Sequence, residues 1–439
     1  MPPPRGAPRP PPPQSPANPD HSNITISTSQ TDDYRPRHRF YNATFFLHRV
    51  SPLYLGPDDN PDLDPPPTTI SEPRLRAVAQ RLRDVLVGDV VRGVEVGLSA
   101  TDSDSAKTIA NMGSLEAVMV RPVEAADLLD VSLDKMKDQY QEDEENLELV
   151  ESWRALEARV RRKQGLAVEL VYEHSRSVAL LLPNLSRSSA LVPSAAENEG
   201  KQGQFLWLPV MLMRMPALIR AAVTRFLEAE FDCKVSPSRC GTRTMVGGLE
   251  RWMETMARNK KEQHKDLLVG VGFNTLTMMP RQTVERGPEE MEKPGLRTID
   301  IILPWSNLPI FWKEGKRIEQ EDMERRYKEG GVGFKDSAST LAGKRGLREE
   351  GWDWRDEIQQ PFFEALSVYT KRVTEISLFH PAVRIIKVAC SGFVMGDERI
   401  KIFPTMDRAA VVDLLGILCE KSVLQQLLPM DIRPFDIDN

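Results

Sequence analysis

Residues 383–403 read VRIIKVACSGFVMGDERIKIF, and residues 404–428 continue PTMDRAAVVDLLGILCEKSVLQQLL. The first run reads as two strands joined through Met395-Gly396-Asp397-Glu398. The second reads as a helix with apolar residues at Ala410, Val411, Val412, Leu414, Leu415, Ile417, Leu418 and Cys419. One buried face needs only Val411, Leu414, Leu415 and Leu418, and Val412 and Ile417 lie off that face. A helix apolar nearly all round is covered on more than one side, either by its own domain or by a second subunit. Glu398, Arg399 and Lys401 are the kind of charges that protect an edge strand. A controlled edge is also what strand-to-strand association uses. The unit is therefore expected to close a curved sheet and to dock another chain. The residues expected to bind the partner are Arg399, Ile400, Lys401, Ile402, Phe403, Val412, Leu415 and Ile417.

Working outward, 439 residues hold two domains or one large one. A hydrophobic fraction of 40% with 28% charged residues is that of a folded protein with polar surfaces. The net charge of −6 argues against a chain that binds nucleic acid through its overall field, although basic patches act locally. The N-terminus is Pro-rich without an apolar leader, and the run from 205 to 219 is interrupted by Pro209, Arg214 and Pro216. Neither a secretory signal nor a membrane span is expected. Cys233, Cys240, Cys390 and Cys419 form no Cys-x-x-Cys pair, so they read as buried thiols in a reducing compartment.

Residues 1–38 lack the large apolar side chains needed to offset ordering entropy and read as a disordered tail. An N-terminal α+β region spans 39–260. Its first strand lies in YNATFFLHRV, and a helix follows Ser71 with Leu75, Val78, Ala79, Leu82, Val85 and Leu86 on one face. Strands are read at 94–98, 115–120, 167–172 and 178–182, and helices from Pro216 and over 244–258. An exposed acidic helical insertion is read at 124–164. A C-terminal sheet-and-helix region, 261–439, holds strands at 267–273 and 298–303 and a helix from about 354 to 372. Its charged, Gly-rich stretch 313–350 reads as a mobile insertion. This order of elements indicates an α+β fold with a mostly antiparallel sheet.

No arrangement of residues calls for chemistry. His-Glu-x-x-His, Gly-x-Ser-x-Gly and Walker patterns are missing, and the six histidines are scattered. Ala342-Gly343-Lys344-Arg345 lacks the upstream glycine and the Ser/Thr of a phosphate loop, and Gly270-Val271-Gly272 sits inside a strand pattern. Glu142 to Glu145 reads as a solvated face, not an acid/base pair. Trp305 and Trp312 flank Leu308-Pro309-Ile310 and read as core, with a peptide-binding ledge as the alternative. The chain is expected to be no enzyme and to use no cofactor or metal.

Three segments carry a resemblance: residues 41–53 (YNATFFLHRVSPL), 82–98 (LRDVLVGDVVRGVEVGL) and 231–237 (FDCKVSP). In pattern and order the chain resembles the CENP-L family of inner-kinetochore proteins in its filamentous-fungal form. The resemblance implies a curved antiparallel sheet and a heterodimer with a CENP-N-like partner through the C-terminal part. It also implies a place in the constitutive centromere-associated network beside the centromeric nucleosome. It brings no catalytic residues. In such a pair Arg159, Arg161, Arg162, Lys260, Lys261 and Lys265 are candidates to face DNA, on charge alone. A direct DNA-binding module and a homodimeric scaffold are the competing readings.

Overall fold

The structure is a computed structural model that describes residues 40–56, 70–91, 111–131, 147–186, 205–258, 265–273, 297–329, 360–380 and 382–427. Strand β1 (Thr44–Val50) is followed by β2 (Leu53–Tyr54), helix α1 (Glu72–Val91), β3 (Leu115–Glu124), α2 (Ala125–Leu129) and α3 (Leu147–Val160). Next come β4 (Gln164–Tyr172), β5 (Ser175–Leu182), β6 (Phe205–Leu206), β7 (Val210–Arg214), α4 (Ala217–Phe231), β8 (Val235–Pro237) and α5 (Thr242–Arg258). The chain then runs through β9 (Leu267–Phe273), β10 (Thr298–Leu303), a 3-10 turn at Trp305–Asn307, α6 (Leu308–Glu329) and α7 (Pro361–Thr374). It closes with β11 (Val383–Ala389), β12 (Phe393–Gly396), β13 (Arg399–Ile402) and α8 (Arg408–Leu427).

One antiparallel sheet organises these elements in the order β10-β9-β11-β12-β13-β1-β7-β5-β4-β3, with β8 also paired to β1. The fold is α+β, mostly antiparallel, and not a closed barrel. Strand β1 is the junction. Phe45 pairs with Ile400 of β13, Leu47 with Leu212 of β7, and His48 with Pro237 of β8. The sheet thus crosses the division at residues 260 and 261, because β1 from the first half lies beside β13 from the second.

Both faces of the central strands are covered. On one face Phe45, Leu47, Leu180 and Leu212 join Trp252 of α5, Phe362 and Phe363 of α7, and Val411, Leu414 and Leu415 of α8. On the other, Val50, Leu181, Met211 and Met213 join Leu75, Val78 and Leu82 of α1, and Val223 and Leu227 of α4. Successive residues of β7 therefore point into different cores, which is why VMLMR is apolar without alternating. Each Leu or Met so buried contributes about 1.5–3 kcal/mol. On α1 the expected apolar face is observed, except that Val85 is exposed.

Two expectations about insertions are corrected. The segment 124–164 was expected to be an exposed excursion, but its described ends belong to the core. Leu128 and Leu129 of α2 and Leu156 and Val160 of α3 are buried in the cluster that holds α8. These few leucines and valines suffice because α8 supplies the opposing surface. Residues 132–146 lie outside the described residues. The stretch expected to be mobile from 313 begins instead inside α6, up to Glu329. Its charges pair at helical spacing, Arg317 with Glu314 at 2.5 Å and with Glu321, and Lys316 with Glu319 at 2.9 Å. A Cβ at Gly315 would fall on the Pro361 carbonyl, so α6 and the start of α7 approach at backbone distance. Residues 330–359 and the strand expected at 94–98 lie outside the described residues.

Candidate partner-binding surfaces

The stretch 383–403 forms three strands, because Cys390-Ser391-Gly392 breaks the first run. A Cβ on Gly392 would meet the Trp252 indole at 2.6 Å, so only glycine lets the turn pass beneath that ring. Strand β13 is not an edge. Residues 393–395 of β12 pair with its one side, at 400–402, and residues 44–46 of β1 with the other, at 399–401. Strand addition through Arg399, Ile400, Lys401, Ile402 and Phe403 is therefore corrected: both rows of backbone groups are already bonded. Ile400 and Ile402 are buried, Arg399 is exposed, and Lys401 and Phe403 are half-buried.

Helix α8 is covered from within the chain. Val412 and Leu415 are fully buried and Ile417 is half-buried. A Cβ on Gly248 of α5 would press on Leu414, and one on Gly247 would touch Ile417. From α3, Arg159 donates to Asp413 at 2.7 Å, to the Val412 carbonyl at 3.1 Å and to the Leu185 carbonyl at 3.1 Å. The all-round apolarity of α8 thus reflects packing against α2, α3 and α5 on its different sides, not a missing subunit.

This also settles one of the basic candidates. Arg159 is engaged by Asp413 and two carbonyls and holds α3 to α8. Arg161, Arg162 and Lys265 are exposed, while Lys260 and Lys261 lie outside the described residues. Arg161 and Arg162 precede β4, and Lys265 precedes β9. Those strands are seven steps apart in the sheet order. That is about 34 Å along the sheet at ordinary strand spacing. The fold does not gather these cations into one cluster.

The open edges are elsewhere. Strand β3 pairs only with β4, and β10 only with β9, among the described residues. Strand β3 is guarded by Pro122, which cannot donate to a ladder, and by Arg121, paired with Glu169 at 2.7 Å. Strand β10 carries a single exposed charge, Asp300, and no proline. It sets Ile299, Ile301 and Leu303 towards the core and leaves Ile302 63% exposed. The turn that follows is fixed by the Trp305 amide donating to Asp266 at 3.1 Å, and it leaves Trp305 44% exposed. Ile310, at the start of α6, is 66% exposed, while Leu308 beside it is fully buried. The segment Trp305–Trp312 is thus split: Leu308, Phe311 and Trp312 pack on the core, and Trp305 and Ile310 do not. Isoleucine at 302 and 310 carried no signal in the sequence, since either residue fits a core position.

All four cysteines are free and buried, and burial pushes the thiols of Cys240, Cys390 and Cys419 up to about 12. Among the described residues no group of His, Cys, Asp and Glu is placed to hold a metal, and no helix is long and apolar enough to cross a membrane. Fold and surface define an α+β protein with a mostly antiparallel sheet and exposed apolar side chains at Ile302, Trp305 and Ile310. The chain belongs to the family described as CENP-L: Centromere protein L, whose family model matches residues 39–423. It is a centromere and kinetochore protein, of a family that is structural. No curated protein matches it.

Proposed function

We propose that this chain is a structural subunit of the inner kinetochore that forms a heterodimer with a CENP-N-like partner. The pair helps to link centromeric chromatin to the kinetochore and so supports chromosome segregation. The observation that carries this reading is the family membership of residues 39–423. We place the docking surface at β10, not at β13. The side of β10 that is unpaired among the described residues offers backbone groups to a partner strand, and Ile302, Trp305 and Ile310 offer exposed apolar area beside it. Arg161, Arg162 and Lys265 remain as separate exposed cations that phosphate would meet one at a time.

Affinity purification of the tagged full chain from nuclei tests the assignment. Recovery of a CENP-N-like protein with centromeric nucleosomes is expected. Recovery of neither, from nuclei in which the tagged chain is folded, would overturn it.

A further inference from the structure

Strand β1 sends Phe46 and His48, two residues apart, to one face of the sheet, where they meet the first turn of α4. The guanidinium carbon of Arg220 lies 3.7 Å from the centroid of the Phe46 ring. That of Arg399, the cross-strand partner of Phe46, lies 4.5 Å from the same centroid. Two cations therefore converge on one ring. Among the described residues neither guanidinium has a hydrogen bond or an ion pair. Arg220 Nη1 and His48 Nδ1 are buried without a hydrogen bond of ordinary geometry, the Phe46 backbone being the imidazole's closest polar partner, and His48 is only 7% exposed. Buried polar atoms are ordinarily satisfied, so two orphans beside two unpaired charges are unusual.

The surroundings add to the positive field. Helix α4 begins at Pro216 without a side-chain cap and without an acidic residue in its first turn. Its N-terminal end therefore carries an uncompensated partial positive charge, and Arg220 sits in that turn against the dipole. Glu398 is close enough to favour the charged forms of Arg220 and His48 and partly offsets this field, but it is also paired with Arg239 at 3.5 Å. Burial, and then Arg399, hold the Arg220 guanidinium below its ordinary value. Burial, and then Arg220, push the His48 imidazole down to about 4. A cation pair in this position is stabilised by an anion.

We propose that Arg220 and Arg399, set about the Phe46 ring, form a receptor for one phosphoryl group on a phosphorylated side chain of a partner protein. A phosphorylated side chain carries about −1.5 to −2 charge, which matches two guanidiniums without an ion pair among the described residues better than a single carboxylate does. Its oxygens suit the fork of arginine N–H donors. A DNA strand fits less well. The cations converge on one point instead of following a track, and Asp397 and Glu398 on the adjoining turn would oppose a passing polyanion. This site is independent of β10 and does not rest on the docking reading given above.

The test is a titration of the folded full chain against a fluorescein-labelled phosphoserine pentapeptide. Its unphosphorylated twin, inorganic phosphate as competitor and a labelled DNA duplex form the other arms. The expected result is binding of the phosphopeptide alone, competed by inorganic phosphate. Affinity should fall at least fivefold in Arg399→Gln and in Arg220→Gln. Arg399 is exposed, so its variant keeps the fold and carries the test if Arg220→Gln melts early. Equal phosphopeptide affinity in the wild type and Arg399→Gln would overturn the proposal. So would binding of the unphosphorylated twin, or loss of duplex binding only.

Discussion

Strands β13 and β10 look alike as sequence and occupy opposite kinds of position. Both are short, rich in isoleucine and punctuated by charge: RIKI in one, TIDIIL in the other. Strand β13 lies in the middle of the sheet with both sides bonded, while β10 lies at its end, paired on one side only among the described residues. The difference arises outside the strands themselves. Residues 399–401 are sealed by β1, more than 350 positions earlier in the chain, and no local pattern announces that pairing. Charged side chains such as Arg399 and Lys401 fit an interior strand when they reach a neighbouring ring, that of Phe46 across the ladder for Arg399 and that of Phe403 two residues on for Lys401. Edge-guarding charge is thus a property of exposed faces, and it does not by itself mark an edge.

The largest effect expected from this contrast is at Ile400. Its side chain is buried between β12 and β1, so Ile400→Asp places an unpaired charge in the core. The cost is on the order of 5 kcal/mol or more, comparable with the whole stability of a domain. Circular dichroism should show loss of the cooperative transition. A variant that unfolds like the wild type would mean that β13 is free.

A smaller effect is expected where the C-terminal helix is tied down. Asp413→Ala leaves the Arg159 guanidinium half-buried without its carboxylate. The loss should be about 3 kcal/mol in urea unfolding. A loss within experimental error would restore Arg159 to the list of free cations.

Strand β1 itself gives a pH dependence. The folded His48 imidazole titrates near 4 against its ordinary 6.5 because it is buried beside Arg220. A depressed value means that the unfolded chain binds the proton first. The His48 contribution is therefore fully present above pH 6.5 and is lost as pH falls from 6.5 towards 4, by about 3 kcal/mol. His48→Gln should flatten that part of the profile relative to the wild type, and an unchanged profile would place His48 in solvent.

Much of this architecture was legible in the sequence. The helices at α1, α4 and α5 followed from apolar spacing, helped by Ser71 at the start of α1 and Pro216 at the start of α4. The α+β class followed from the order of elements. Strand β7 was not legible, because VMLMR is buried on both faces and lies between Pro209 and Pro216, where prolines suggest irregular chain. Missing β7 hid the role of β1, which needs β7 on one side and β13 on the other. The over-apolar α8 was read correctly as covered on several sides. What covers it could not be told, since α2 and α3 lie in a segment dominated by acidic residues. Surface position was the least legible of all. Ile302 is exposed because its face of β10 is left uncovered among the described residues, and nothing in its local sequence distinguishes it from the core-facing Ile301.

The smallest effect on stability and the most direct test of the account coincide at Ile302. The substitution Ile302→Asp, at a side chain that is 63% exposed on β10, should change unfolding free energy by no more than about 0.5 kcal/mol. Co-purification of the full chain with a CENP-N-like partner should be lost in this variant, with the unfolding midpoint unaltered. Full retention of the partner by Ile302→Asp, with the chain folded, would contradict the assignment of β10 as the docking edge.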